Sequence, residues 1–202
     1  MKNITSTIFI LLLISATSFA QQLEEKSSNM TYRIGTGVLV EGNVGMYGFN
    51  VINELSFKVL DRFSINPSLT FYHSIINADF NYTFPEDREQ FVSGIFTDVR
   101  FQYDIIRTKK DFRVGLAFGP SFQFGGEAIH RGYQLSPEEP RVQESSGFMV
   151  ESHRRLGYVS QVTFDWKPAN PNRRNTIGVS MSSFDGYWPY YLMVNYRLGF
   201  KL

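Results

Sequence analysis

Apolar and polar residues alternate along most of this chain, and the alternation comes in separate stretches divided by turn-forming residues. The clearest stretch is the last, where Tyr190, Leu192, Val194, Tyr196, Leu198, Phe200 and Leu202 occupy one parity and Asn195, Arg197, Gly199 and Lys201 the other. A period of two is the signature of a β-strand with unlike faces. Seven earlier stretches repeat it: Thr31 to Val40, Phe49 to Leu60, Phe63 to Ile75, Phe91 to Ile105, Phe112 to Phe124, Arg155 to Trp166 and Asn175 to Phe184. Pro67 has no N–H to give a ladder, so an irregularity is expected in the third. The connections at 61–62, 107–111 and 167–174 are short, those after the first and seventh strands are moderate, and 77–90 and 125–148 are long, the ends of the last able to extend its hairpin beyond the membrane. An even number of antiparallel strands, with compact turns on one side and longer loops on the other, predicts a closed up-and-down barrel.

Either face of such a barrel can point inward, and size decides between them. Eight strands enclose a space that side chains just fill. The Phe, Tyr, Leu and Trp set of all strands would overfill it, while the Gly, Ser, Ala and Thr set with some long charged chains would fit. The bulky face therefore belongs outside, against lipid. Aromatic residues near strand ends (Tyr32, Phe63, Phe91, Tyr103, Phe112, Trp166, Tyr190 and Phe200) suit two interfacial girdles. A soluble lipocalin-like carrier, with its apolar face inward, is the opposite arrangement of the same pattern.

The first twenty residues are a separate object. Lys2 gives a positive start, Ile8 to Ile14 is apolar throughout, and Ser18-Phe19-Ala20 is a small-x-small cleavage site. This is the pattern of a secretory signal peptide, too short for a spanning helix. The expected organisation is a signal peptide at 1–20, a short periplasmic leader at 21–30 and a barrel at 31–202. Removing the signal peptide leaves basic and acidic residues in balance, so bulk charge gives no reason to expect a nucleic acid partner. The chain has no cysteine, which excludes disulfides and thiolate metal sites. Aromatic residues at 16% and sixteen glycines favour strands with close backbone contacts.

These features, with the terminal Tyr-Arg-Leu-Gly-Phe-Lys-Leu at 196–202, resemble the PorT-like outer-membrane β-barrel family, related in architecture to the small OmpA and OmpX barrels. The resemblance implies an all-β, eight-stranded antiparallel transmembrane barrel in the outer membrane, handled by the barrel insertion machinery, with no common catalytic residues. Relatives of this kind often end on an aromatic residue that the machinery reads. Here Lys201-Leu202 follow Phe200, so Phe200 is the expected insertion signal.

The expected lumen residues are Arg33, Glu54, Lys58, Asp98, Arg100, Asp104, Arg113, Asp165, Arg197 and Lys201. Both signs occur, as a paired network plugging the barrel requires. His73 and Ser74 have the composition of a hydrolytic pair, but adjacent strand residues face opposite ways and cannot share a proton readily. His130 and His153 fall in or near the long connection, with no carboxylate pattern beside them, so no metal is expected. Gly35-Thr36-Gly37 lacks the third glycine and the helix of a nucleotide loop. No cofactor is expected. Recognition of an extracellular or envelope protein would fall to the long loops, with Tyr82, Phe84 and Tyr133 as candidates. The expected function is structural or adhesive, in a monomer and without enzymatic activity. A membrane-embedded lipid-modifying enzyme and a soluble periplasmic carrier are the alternatives.

Overall fold

The computed structural model describes residues 29–42, 45–77, 91–130, 133–135, 143–145, 148–170, 172–184 and 190–202. The signal segment 1–20 and leader residues 21–28 lie outside these. The strands are β1 (Met30–Glu41), β2 (Met46–Lys58), β3 (Phe63–Asn77), β4 (Phe91–Arg107), β5 (Arg113–His130), β6 (Tyr133–Leu135), β7 (Gln143–Ser145), β8 (Phe148–Trp166), β9 (Arg173–Phe184) and β10 (Tyr190–Lys201). Eight of them close into a barrel in the order β1-β10-β9-β8-β5-β4-β3-β2, and β6 pairs with β7 in a separate small sheet. Every pairing is antiparallel. The seam is β1 on β10, running from Thr31↔Lys201 to Glu41↔Tyr191. Closure satisfies the edge that each terminal strand would otherwise expose.

The first and last strands begin and finish at the same end of the barrel, where the Leu202 N–H donates to the Met30 carbonyl at 3.1 Å. This terminal end carries the compact turns at 59–62 and 108–112 and the connection between β8 and β9. The far end carries the remaining connections.

Several strands run further than alternation alone predicts. Met30 belongs to β1 rather than to the leader. β2 starts at Met46, inside the expected connection, and β9 starts at Arg173, inside an expected turn. The largest difference is the β5/β8 hairpin: its ladder continues from Arg113↔Asp165 to His130↔Phe148. The ends of the region at 125–148 therefore extend the hairpin, as expected of them, and β8 begins seven residues ahead of the expected Arg155. Glycines and mixed polarity leave the extent of this extension unmarked, because a hairpin arm beyond an apolar belt no longer needs alternating faces.

At Pro67 the β2/β3 ladder lapses between Glu54↔Ser68 and Phe57↔Ile65 without changing register; the register shift of that pair lies at Tyr47/Gly48. Pro120 does the same to β4/β5, which lapses between Asp98↔Ser121 and Phe101↔Phe118. Each proline costs one ladder bond and leaves the frame intact.

The apolar parity faces outward. Ile34, Val38, Phe49, Leu69, Phe71, Val99, Phe101, Leu116, Phe118, Leu156, Phe164, Ile177, Leu192, Val194, Tyr196 and Leu198 are all exposed on the outer wall. A continuous apolar belt of this extent does not persist in water. It is the surface a bilayer requires, and the reverse of a lipocalin-like carrier.

Candidate functional site: a lumen in two layers

The inward parity divides along the barrel axis. Toward the terminal end lies a layer of charge. Glu54 of β2 is 2% exposed and receives three guanidiniums: Arg33 of β1 at 2.7 Å, Arg100 of β4 at 2.6 Å and Arg197 of β10 at 2.5 Å. A cross-strand register of Arg33 with Glu54 sets the first contact. The other two reach across the barrel. Arg33 continues to Asp165 at 3.4 Å, and Asp165 accepts from Arg174 at 3.1 Å and from the Thr176 hydroxyl at 3.3 Å. Arg174 and Arg113 both hold Asp111, each at 2.7 Å, and Arg113 lies 3.6 Å from Asp104. Gln102 donates to Asp104 at 3.0 Å and accepts from Asn66 at 2.9 Å. Asp98 accepts from Ser68 at 3.2 Å and Ser121 at 2.6 Å. Buried charge survives only when paired and hydrogen-bonded in this way. Gly35 makes room for it, since a Cβ there would lie 2.6 Å from Arg197 Cγ.

Where this layer opens at the terminal end, a cavity of about 300 Å³ is lined by Arg33, Asp104, Asp111, Asp165, Arg174 and Lys201, among others. Asp111 sits in its rim, in the turn between β4 and β5. Partial burial would raise its carboxyl, yet hydrogen bonds from Arg174 and Arg113 hold it down at about 2. In the β2/β3 turn, hydrogen bonds from Arg107 and then Lys58 also lower the Asp61 carboxyl.

Toward the far end the lumen is aromatic. Tyr72 of β3, Phe96 of β4, Phe184 of β9 and Tyr191 of β10 are fully buried, with Leu39, Met46, Val92 and Met193 around them. Tyr72 stacks on Phe96 at 4.3 Å between centroids, and Phe96 stacks on Phe184 at 5.5 Å. Tyr191 meets Phe96 edge-on at 5.0 Å. Such ring geometries are favourable beyond the area they bury. The two phenols need partners in this dry place, and Gln123 supplies them with Nε2 at 2.5 Å from the Tyr72 hydroxyl and 2.8 Å from that of Tyr191. A Cβ on Gly125 would lie 2.6 Å from the Tyr72 oxygen, so the ring cluster also depends on a missing side chain.

Of the expected lumen residues, Arg33, Glu54, Asp98, Arg100, Asp104, Asp165 and Arg197 are buried inside, and Arg113 is half-buried near the rim. Lys58 and Lys201 face the cavity mouth instead. Lys58 pairs with the exposed Asp61 at 3.2 Å and Lys201 is exposed. They sit at the strand ends, where the barrel is already open to water. Asp111 and Arg174 escaped sequence reasoning because they stood in expected turns. The aromatic cluster is hidden by bulk, which reads as outward in an amphipathic strand, although Tyr72, Phe96, Phe184 and Tyr191 share parity with Thr70, Asp98, Ser182 and Asn195.

His73 faces outward beside Phe49 at 5.9 Å and Phe91 at 6.0 Å between ring centroids, while Ser74 is fully buried with its hydroxyl on the Val92 carbonyl. They do not converge. Phe200 lies on the outer wall with Arg173 5.7 Å over its ring. Tyr82 and Phe84 lie outside the described residues, and so do the side chains of Tyr133 and His130. His153, expected near a loop, is on β8 and buried, with Nε2 3.2 Å from Glu127.

No family model matches the sequence. No curated protein matches it either. Among solved structures, the chain is similar to Neisserial surface protein A, with a TM-score of 0.57 at 12% identity over 88% of this chain and 100% of that one. The likeness is one of fold. The N-terminal β-barrel domain of Pseudomonas aeruginosa OprF follows, with a TM-score of 0.44, 12% identity and coverage of 87% and 98%. Ail, the attachment invasion locus protein of Yersinia pestis, in complex with the heparin analogue sucrose octasulfate, has a TM-score of 0.44, 11% identity and coverage of 86% and 97%. The fold and the outward apolar belt together make this an eight-stranded antiparallel transmembrane up-and-down barrel.

Proposed function

We propose that the protein is an outer-membrane barrel that does not conduct and acts as a structural or adhesive element through its far, extracellular end. One observation supports this reading: beyond the cavity at the terminal mouth, paired guanidiniums and carboxylates crowd one half of the lumen and stacked rings the other. An interior filled in this way leaves the wall and the loops as the working surfaces. The outward belt and the aromatic residues at both ends of the strands favour a bilayer-spanning monomer. The even strand number and the placement of both terminal strand ends beside the short turns favour the outer membrane, with the terminal end toward the periplasm. PorT-like membership and Phe200 as the signal read by the insertion machinery belong to the same reading and rest on the terminal sequence pattern. An enzymatic role is disfavoured by the opposite orientations of His73 and Ser74.

Reconstitution of the mature chain in planar lipid bilayers tests the central point. Folded protein, recognised by a heat-modifiable shift on a gel, is expected to insert without steady ionic current. Stable, reproducible conductance steps from the folded form would overturn a plugged lumen. Solubility without detergent would overturn the membrane reading itself.

A further inference from the structure

Beyond the plug, the β5/β8 hairpin brings two carboxylates face to face, because Glu127 and Glu151 are direct cross-strand partners. Like charges placed opposite each other destabilise a strand pair unless something positive lies between them. The next inward residue of β8 is His153, 6% exposed. Its Nε2 approaches Glu127 Oε2 at 3.2 Å but lacks the alignment of a hydrogen bond, and the nitrogen has no hydrogen-bond partner. A buried imidazole nitrogen aimed at a carboxylate pair without bonding to it is unusual for a structural histidine. One ligand atom from each of Glu127, Glu151 and His153 lies within 4.8 Å of the other two.

We propose that these three side chains form a binding site for a divalent transition-metal ion, of the zinc class, at the far mouth of the barrel. One imidazole and two carboxylates form a mixed nitrogen and oxygen set, which suits zinc better than magnesium or calcium, whose sites are built of oxygen. Bonds of about 2.0–2.2 Å would draw the three groups together on one side of the ion. Glu127 and His153 are buried and Glu151 is exposed, so the open side of the ion faces outward. A water molecule or a group from outside the cell would complete the coordination there. The ion would also neutralise the opposed carboxylates and fasten the hairpin arms above the plug.

Titration of zinc into the folded mature barrel in detergent, followed by calorimetry, tests the site. One saturable site per chain is expected, insensitive to millimolar magnesium. His153→Gln and Glu127→Gln should each weaken binding at least tenfold, while His73→Gln, on the outer wall, leaves it unchanged. Heat-modifiable migration of each variant confirms that it is folded. No saturable uptake by the unaltered protein would overturn the proposal. Binding that persists undiminished in folded His153→Gln, or that is lost in His73→Gln, would overturn it equally.

Discussion

The two halves of the lumen solve the same problem with opposite chemistry. In both, inward side chains must fill a narrow tube that water cannot hydrate freely. The terminal half uses long charged chains and converges them on carboxylates, three guanidiniums on Glu54 alone. The far half uses flat rings and needs a single amide, Gln123, to satisfy its two phenols. The charged half is directional and fails when one partner is lost. The aromatic half is additive and fails by degrees. The terminal cavity fits this division: charge is concentrated where the barrel opens to water, and the stacked rings lie toward the loops.

Replacement of Glu54 should have the largest effect. Glu54→Gln removes the carboxylate shared by three buried guanidiniums, of which Arg33 keeps Asp165, and breaking a buried ion pair by removing one partner costs about 3–5 kcal/mol. A loss toward the top of that range is expected in denaturant unfolding from detergent or lipid. A loss below about 1 kcal/mol, typical of an exposed pair, would mean that Arg33, Arg100 and Arg197 are served by other groups.

Phe96→Ala tests the other half. Phe96 contacts Tyr72, Phe184 and Tyr191, and truncating a buried Phe costs about 3–5 kcal/mol. The lower part of that range is expected, because neighbouring rings close to the far end can settle into the gap. The variant should still carry no steady current in a planar bilayer, since the charged layer beneath it is intact. Current through Phe96→Ala would place the barrier in the rings alone and erase the functional distinction between the two layers.

What the chain revealed in advance follows the same division. Period-two alternation located the barrel strands and their two faces, because a strand's parity is a local property. It also singled out the buried charges, because Arg, Glu and Asp between apolar neighbours stand out. It did not say which of them meet: Arg197 and Glu54 are 143 residues apart, and only closure of the β1/β10 seam brings their strands to either side of β1. The buried cluster of the far half is legible only as a few large residues on the small-residue parity, Leu39 and Tyr191 among them, but in an amphipathic strand bulk reads as outward. His153 and Glu127 met for a reason no periodicity carries, a hairpin continued past the apolar belt.

The smallest expected effect separates the halves by pH. The turn carboxyl of Asp111 is held at about 2 by Arg174 and Arg113, against about 3.9 for a free aspartate. A lowered carboxylate contributes stability that is fully present above the unfolded value and is lost as pH falls through the folded one. The terminal half should therefore weaken between about pH 4 and pH 2, while the contacts between the rings themselves do not titrate in that window. With partial exposure discounted, the change attributable to Asp111 is about 1–2 kcal/mol. Asp111→Asn should flatten the pH dependence of unfolding over that window by this amount. If Asp111→Asn leaves the acid limb of the stability curve unchanged, the rim bonds to Arg174 and Arg113 do not stabilise the charged half, and its strength resides in the buried carboxylates, Glu54 and Asp165 foremost.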